Sequence, residues 1–581
     1  MLKRYYKVVI TGLMFFCFLQ MPAQAQFPEK KYPQGYFAYP VGAKIGLAAN
    51  FGELRPNHWH MGFDCRTDQK ENVPVYAAAE GYIAKIKIEP WGFGRAIYIN
   101  HPNGFTTLYA HLNDFYPELE TWLKQQQYGK ESWKIFLEDI PPNLFPVTKG
   151  QFIAKSGNTG GSQGPHLHFE IRDTKTDKVL NPGLFGFNIP DAVPPKISRL
   201  AIYDRCKSVY EQTPILLPLK MKGKQYGIAR DTFLINTEKV SFAISATDAV
   251  SGSANPNGIY EAVVYDNGVA LCGFQLDSIG YDETRYLNAH IDFKLKAGGG
   301  SYVQHLSQLP GYTQGVYTQF VNDGVIHLLD APAHHIKIVV KDAMGNTSEL
   351  EFNIRSMVSG EGVAACNDSL QGDKSSMFFP QMVNVLDKPG IFFHTSGKTL
   401  YDSIRFKYAR IRTTQPLYFS DIHQVHTNTV PVHDYFTVNL KPDIPVPEQL
   451  RDKLLIKRTG GSGDVFKAKW NGEWVSAAFR SFGNFAIVLD TVPPVITPVG
   501  IKNDAVLTKA TGFSFVVTDN NEEISRFNAM LDGKWMLFTN DKGRTFRHKF
   551  DERCGPGPHE LKVFAEDEAG NRTEKTYYFI R

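Results

Sequence analysis

Along most of the chain, apolar and polar residues alternate one by one over short runs. "IKIVVKDAMGNTSELEFNIR" (336–355) and "LKVFAEDEAGNRTEKTYYFIR" (561–581) are two such runs, each broken by a turn-forming Asp-x-x-Gly-Asn. Period-2 alternation bounded by Gly, Asp and Asn predicts half-buried antiparallel strands. In the turn, Gly supplies a positive φ, and the Asp and Asn side chains bond the local backbone. Long 3.6-residue patterns are scarce. The clearest is "DFYPELETWLKQQQYGK" (114–130), with Pro117 early, Glu118 and Glu120 in the first turn and Gly129 as a stop; it predicts a helix packed down by Phe115, Leu119, Trp122 and Leu123.

The alternating segments also repeat. "PDAVPPKISRLAIYD" from Pro190 is echoed by "LDTVPPVITPVGIKN" from Leu489, "AISATD" (243–248) by "SFVVTD" (514–519), and Asp342–Asn346 by Asp567–Asn571. A degenerate repeat of this kind predicts two β-sandwiches, 190–356 and 489–581, similar to the immunoglobulin-like modules of bacterial surface and secreted enzymes. Residues 357–488 hold further strand patterns and form a third β-rich domain. The polar, Gly-rich stretch Ser359–Ser376 reads as a linker. The fold class is mainly β.

The first 25 residues stand apart. Lys3, Arg4 and Lys7 precede an apolar stretch from Val8 to Leu19, followed by Ala23-Gln24-Ala25. This is the pattern of a secretory signal peptide cut after Ala25. The stretch is short of the ~20 residues that span a bilayer, so the mature chain is expected to be exported to the periplasm or cell envelope, or beyond, without a transmembrane anchor. Cys17 sits inside the apolar stretch, which disfavours a lipoprotein signal. Losing three basic residues takes the formal charge from +4 to +1. A near-neutral chain without a basic tract is not a nucleic-acid binder. Five cysteines remain, Cys65, Cys206, Cys272, Cys366 and Cys554, too few for a disulfide scaffold. Cys206 and Cys272 share a candidate domain and form a candidate bridge.

The chemistry concentrates in residues 26–189. "PNHWHMGFDCRTD" offers His60 and Asp64, "GFTTLYAHLNDF" offers His111, and "SGNTGGSQGPHLHFEIRD" offers His166 and His168. In a strand, residues two apart share a face. His166 and His168 therefore stand together, with Leu167 and Phe169 opposite. His60, Asp64 and one histidine of that pair make three ligands, the number that a catalytic zinc takes from protein. His111 and the remaining histidine are then available to move protons or steady an oxyanion at neutral pH. His58 reads as a surface or groove residue, and alternation turns Cys65 away from the metal. Arg55, Asn100 and Tyr109 are candidates to line a groove. "AAAEGYIAKI" and "RAIYINHPNGFTTLYAHL" read as successive antiparallel strands, the latter two joined at Pro102-Asn103-Gly104.

These three elements, in this order, resemble the LytM/lysostaphin-type metallopeptidases, the M23 family of peptidoglycan endopeptidases. The resemblance covers about residues 44–183. It implies an antiparallel sheet with an open groove, a Zn2+ ion held by His60, Asp64 and His168, and catalysis by His111 and His166. Asn113–Val147 (113–147) replaces a usually short connection, as a packed insertion at the groove rim or as a lid. The implied protein is a secreted zinc endopeptidase acting on peptide cross-links of bacterial peptidoglycan, with the β-sandwiches as spacers or as contacts to other cell-envelope partners. The alternatives are a non-catalytic peptidoglycan-binding protein or activator of another cell-wall hydrolase, and an adhesion protein acting through its sandwiches. Family members that serve as activators have lost metal ligands; all five positions are kept here.

Overall fold

The computed structural model describes residues 27–28, 30–251, 253, 255–358, 376–521, 524–540 and 542–581. The expected signal peptide and nearly all of the expected linker lie outside them. The chain is mainly β, built almost wholly from antiparallel sheets. No described helix is long and apolar enough to cross a membrane.

In the N-terminal domain, the His166–Asp173 strand lies at the centre of the main sheet. It pairs antiparallel with Phe63–Arg66 on one side and Phe105–Ala110 on the other. Arg95–Asn100 and Gly81–Ile88 continue the sheet. The expected turn between Asn100 and Phe105 forms, with Gly104 at φ 84°. A second, three-stranded sheet joins Pro74–Tyr76, Phe152–Ser156 and Leu112–Phe115. Leu167, Phe169 and Ile171 face the apolar core with Phe63, Cys65 and Tyr109. The helix forms at Pro117–Gly129 with Pro in its first turn. It buries Leu119 and Leu123 completely, and Trp122 packs on Phe145 with ring centroids 5.2 Å apart.

Of the segments that follow, 196–356 forms a five- and a seven-stranded sheet, 377–489 two five-stranded sheets and a two-stranded one, and 495–580 a four- and a five-stranded sheet. The repeat is visible bond for bond. In both copies the turn closes through the Asp N–H to the Asn carbonyl at 3.2 Å, for Asp342 and Asn346 and for Asp567 and Asn571. In both, the Asp side chain also accepts from the Asn backbone and amide. The apolar faces of the alternating strands meet between the sheets. In the last domain, Phe515 and Tyr577 from opposite sheets lie 5.4 Å apart.

The expected Cys206–Cys272 bridge does not form. Cys272 is a free, buried thiol on a core-facing position, whereas Cys206 is disulfide-bonded elsewhere.

Both the second and the last domain touch the N-terminal domain. Val179–Leu180 extends the main sheet onto Ser278–Ile279 of the second domain. The last domain rests on the helical insertion: Lys124 lies 3.5 Å from Asp551, Tyr128 packs on Trp535, and the Arg553 guanidinium stacks 3.9 Å from the Tyr128 ring.

Candidate active site

The strand register brings the predicted residues together. His168 sits directly opposite Asp64 across the Phe63–Arg66 pairing, on the face away from the core. His60 precedes that strand. The chain between them passes so close under the central strand that a Cβ on Gly62 would stand 2.3 Å from the Phe169 carbonyl oxygen. His60 Nε2, Asp64 Oδ1 and His168 Nδ1 form a triangle with sides of 2.9, 3.0 and 3.0 Å. All three residues are buried.

The outer nitrogen of each ligand histidine is engaged. His60 Nδ1–H donates to the Asn50 carbonyl at 2.7 Å, and His168 Nε2–H donates to Glu170 Oε1 at 2.9 Å. Both imidazoles therefore turn a lone pair inward, towards a carboxylate oxygen. Three acceptors at contact distance repel one another unless a cation lies among them. Tetrahedral zinc with bonds of about 2.0–2.1 Å has ligand–ligand edges of about 3.3 Å, so the observed triangle is a slightly tight face of such a tetrahedron. The donor set, two imidazoles and one carboxylate, fits zinc. Without the metal a proton takes its place. Burial alone would lower the His168 imidazole, but bonds to Asp64 and Glu170 outweigh it and hold it up at about 9. Burial likewise works against the charge on Asp64, yet His60, His166 and His168 keep its carboxyl well below the usual range.

His111 and His166 stand beside the triangle, their ring centroids 4.9 Å apart. His111 Nδ1–H donates to the Thr159 carbonyl at 2.8 Å, and His166 Nδ1–H to the Gly164 carbonyl at 2.8 Å, leaving each Nε2 for chemistry. His166 Nε2 lies 3.2 Å from Asp64 Oδ1. Burial, reinforced by His166 and His168, pushes the His111 imidazole down to about 3, so it is neutral. His111 has φ 59°, a left-handed conformation unusual for a non-glycine residue. It is the single residue between Phe105–Ala110 of one sheet and Leu112–Phe115 of the other. The left-handed turn at that switch throws its ring out of strand alternation and into the site.

Glu170 and Arg172 were not singled out from the sequence, although the alternation that pairs His166 with His168 continues to both. Glu170 is fully buried (0% exposed) and bonds His168, Arg172 Nε at 2.7 Å and the Tyr281 hydroxyl at 2.5 Å. Burial raises its carboxyl, but Arg172 and His168 prevail and lower it, so it stays charged. Tyr281 comes from the second domain, two residues past the shared sheet edge at Ile279; no local pattern marks it. His58 is exposed and its ring bonds the Pro56 carbonyl, as expected of a surface residue. Arg55 reaches Asp64 Oδ2 at 3.5 Å. Tyr109 does not line a groove: it is in the core, its hydroxyl held by Ala78 and Thr107, because its position in the Phe105–Ala110 strand points inward. Asn100 bonds Thr106 and Tyr82 at the far end of the sheet.

The model of peptidase family M23 matches residues 58–128 and 145–182. The N-terminal domain belongs to peptidase family M23. The matched stretches carry all five site residues of this M23 domain. A Zu5-like domain model matches residues 375–490, the third domain. Among curated relatives, an uncharacterized metalloprotease of Haemophilus influenzae is 30% identical over 147 residues, 24% of this chain and 25% of its own length. The DD-carboxypeptidase/endopeptidase Mpg of Neisseria meningitidis serogroup B is 36% identical over 113 residues, 19% of this chain and 20% of its own. The peptidoglycan DD-endopeptidase ShyA of Vibrio cholerae is 29% identical over 137 residues, 23% of this chain and 26% of its own. The chain thus spans a fifth to a quarter of the length of these relatives.

Proposed function

We propose that this protein is an exported zinc-dependent endopeptidase that hydrolyses peptide cross-links of bacterial peptidoglycan. The observation that carries this reading is the convergence of His60 Nε2, Asp64 Oδ1 and His168 Nδ1 as three inward-facing acceptors, with two further histidines held beside them. Zinc bound there supplies Lewis-acid polarisation of a carbonyl and lowers the pKa of a water. Neutral His111, its Nδ1 hydrogen taken by Thr159, offers Nε2 to receive a proton. His166, fixed by Gly164, orients its Nε2 to the same space. Together they move the proton from the attacking water to the leaving amine and steady the oxyanion. The names of the relatives support peptidoglycan as the substrate class.

Digestion of purified peptidoglycan by the full chain, with mass analysis of the fragments, tests the reading. Zinc-dependent cleavage of a peptide bond is expected. It should be abolished by a chelator and reduced about 10²–10⁴-fold by His166→Ala, which removes a proton-transfer group, while bound zinc is retained. Absence of cleavage from folded, zinc-loaded protein would overturn it.

A second reading, a binding protein or activator of another hydrolase, is favoured by one contact. Lys542 of the last domain donates to the Ser162 carbonyl at 2.8 Å, and its backbone N–H to the Pro90 carbonyl at 2.9 Å. The last domain is thereby anchored on the loop that leads into His166. If that contact restricts substrate entry, Lys542→Ala raises cleavage; an inactive parent and inactive variant would favour the second reading.

A further inference from the structure

The internal repeat places three aspartates at matching positions in two domains. In the second domain these are Asp191, on the segment leaving the peptidase domain, Asp248, just past the Lys239–Thr247 strand, and Asp342, in the turn before Thr347–Ser356. One oxygen from each carboxylate lies within 4.8 Å of the other two. Asp248 and Asp342 are 6% and 3% exposed. Asp191 Oδ1 accepts from the backbone of Val193 and from Ser251, and Asp342 from Met344 and Asn346. All of these donors are neutral. Among the described residues, Asp248 Oδ1 is buried without a hydrogen-bond partner, and the Ala249 backbone N–H, also neutral, bears on the same carboxyl group.

A buried carboxylate oxygen without a partner, facing two further carboxylates, is strongly unfavourable unless a positive charge compensates it. Burial and repulsion from Asp342 push the Asp248 carboxyl up to about 7. The three side chains line a small cavity of about 30 Å³, walled on its other side by Asn50 and Phe63 of the peptidase domain. That is room for a single ion or water.

The last domain provides a contrast. Its equivalent group is Asp490, Asp519 and Asp567; Asp519 Oδ1, like Asp248 Oδ1, is buried without a partner among the described residues, and the difference lies at Asp490. There the Asn520 and Asn521 amides donate to the two oxygens of Asp490 at 3.2 and 2.7 Å. Two side-chain amides thus satisfy both oxygens of Asp490, whereas Asp191 accepts only from backbone N–H groups and the Ser251 hydroxyl, all at Oδ1. The second domain has no such amides from the corresponding Ala249 and Val250.

We propose that Asp191, Asp248 and Asp342 bind one calcium ion at the joint between the peptidase domain and the second domain. An all-oxygen, carboxylate-rich donor set selects a hard cation. Oxygens up to 4.8 Å apart can share an ion whose bonds are about 2.4 Å long, as calcium's are, whereas magnesium demands a tighter octahedron. The ion would fix a chain of contacts that ends at the active site. Asp248 and Asn257 exchange backbone hydrogen bonds of 2.9 and 2.8 Å. Gly258 then exchanges two bonds of 2.8 Å with the Asn50 side chain. The Asn50 carbonyl holds His60.

Equilibrium dialysis of the zinc-loaded full chain against about 1 mM free calcium, a concentration suited to extracellular calcium modules, tests the assignment. Zinc is quantified in the same samples. The wild type should hold at least one calcium equivalent, Asp248→Asn one fewer, and Asp519→Asn as many as the wild type. Calcium should raise the Tm of the wild type and not that of Asp248→Asn. If Asp248→Asn does not fold, Asp191→Asn, at a more exposed ligand, is expected to show the same loss. No calcium bound to the wild type, full stoichiometry in the Asp248 or Asp191 variant, or loss of the ion with Asp519→Asn would each overturn the proposal. None of these readouts depends on peptidase activity.

Discussion

Glu170 accepts a 2.9 Å hydrogen bond from His168 Nε2 from a position closed to solvent. A buried carboxylate behind a metal-ligating imidazole fixes its tautomer and raises its basicity. Arg172 and Tyr281 in turn hold the carboxylate. The proposed zinc site therefore extends one layer beyond the three residues that would hold the metal.

Removing the charge from that layer tests its weight. Glu170→Gln should weaken zinc binding about 10–100-fold, the usual cost of losing such a partner, and leave Arg172 buried without its closest anion. Competitive titration with a zinc chelator measures the change. Unchanged affinity would show that His168 is oriented by packing alone.

Tyr281 lets the second domain act on the first. Tyr281→Phe removes one hydrogen bond to a charged acceptor, worth about 1.5–3 kcal/mol at most, while His168 and Arg172 still hold Glu170. Zinc affinity should fall less than in Glu170→Gln, and the two changes combined should cost no more than Glu170→Gln alone. Additive losses in the double variant would rule out a shared route through Glu170.

Proton and metal compete for His168. In the metal-free chain its folded value, about 9, lies above the ordinary histidine value of 6.5. A raised value contributes stability that is fully present below about pH 6.5 and lost as pH rises through about 9. The chelator-treated protein should therefore show a Tm that declines across this window. The zinc-loaded protein, with no proton on His168 Nδ1, should not. Parallel Tm profiles for the two forms would contradict this account.

Gly62 is the steric hinge between His60 and Asp64. In Gly62→Ala the added Cβ meets the Phe169 carbonyl oxygen at 2.3 Å, so His60 and the Asp64 strand must move apart from the central strand. A destabilisation of about 1–3 kcal/mol is expected for this overpacking, together with reduced zinc content after purification. Thermal melts and metal analysis read both effects. An alanine variant with wild-type zinc content would show that the chain between His60 and Asp64 can yield.

Much of the site was legible because strands impose a period of two. That period alone put His166 and His168 on one face and Cys65, Leu167 and Phe169 on the other, as found. Read two steps further, it also leads to Glu170 and Arg172. The helix at Pro117–Gly129 was equally local, being written in its Pro, first-turn acids and apolar spacing. The repeated Asp-x-x-Gly-Asn turn could be drawn from its own five residues.

Long-range choices were another matter. Cys206 and Cys272 lie in one domain, but alternation sends Cys272 into the core and away from any partner. His111 enters the site because the chain changes sheets at that residue in a left-handed conformation, which a periodic reading of Phe105–Phe115 does not contain. Tyr281 reaches Glu170 across 111 residues, and Asp191, Asp248 and Asp342 meet across 151. The sequence by itself determined periodicity, turns and the spacing of His60 and Asp64, because these depend on backbone geometry and near neighbours. Tertiary structure decided which distant side chains share a buried space, because only strand register and domain packing bring their charges close enough to interact.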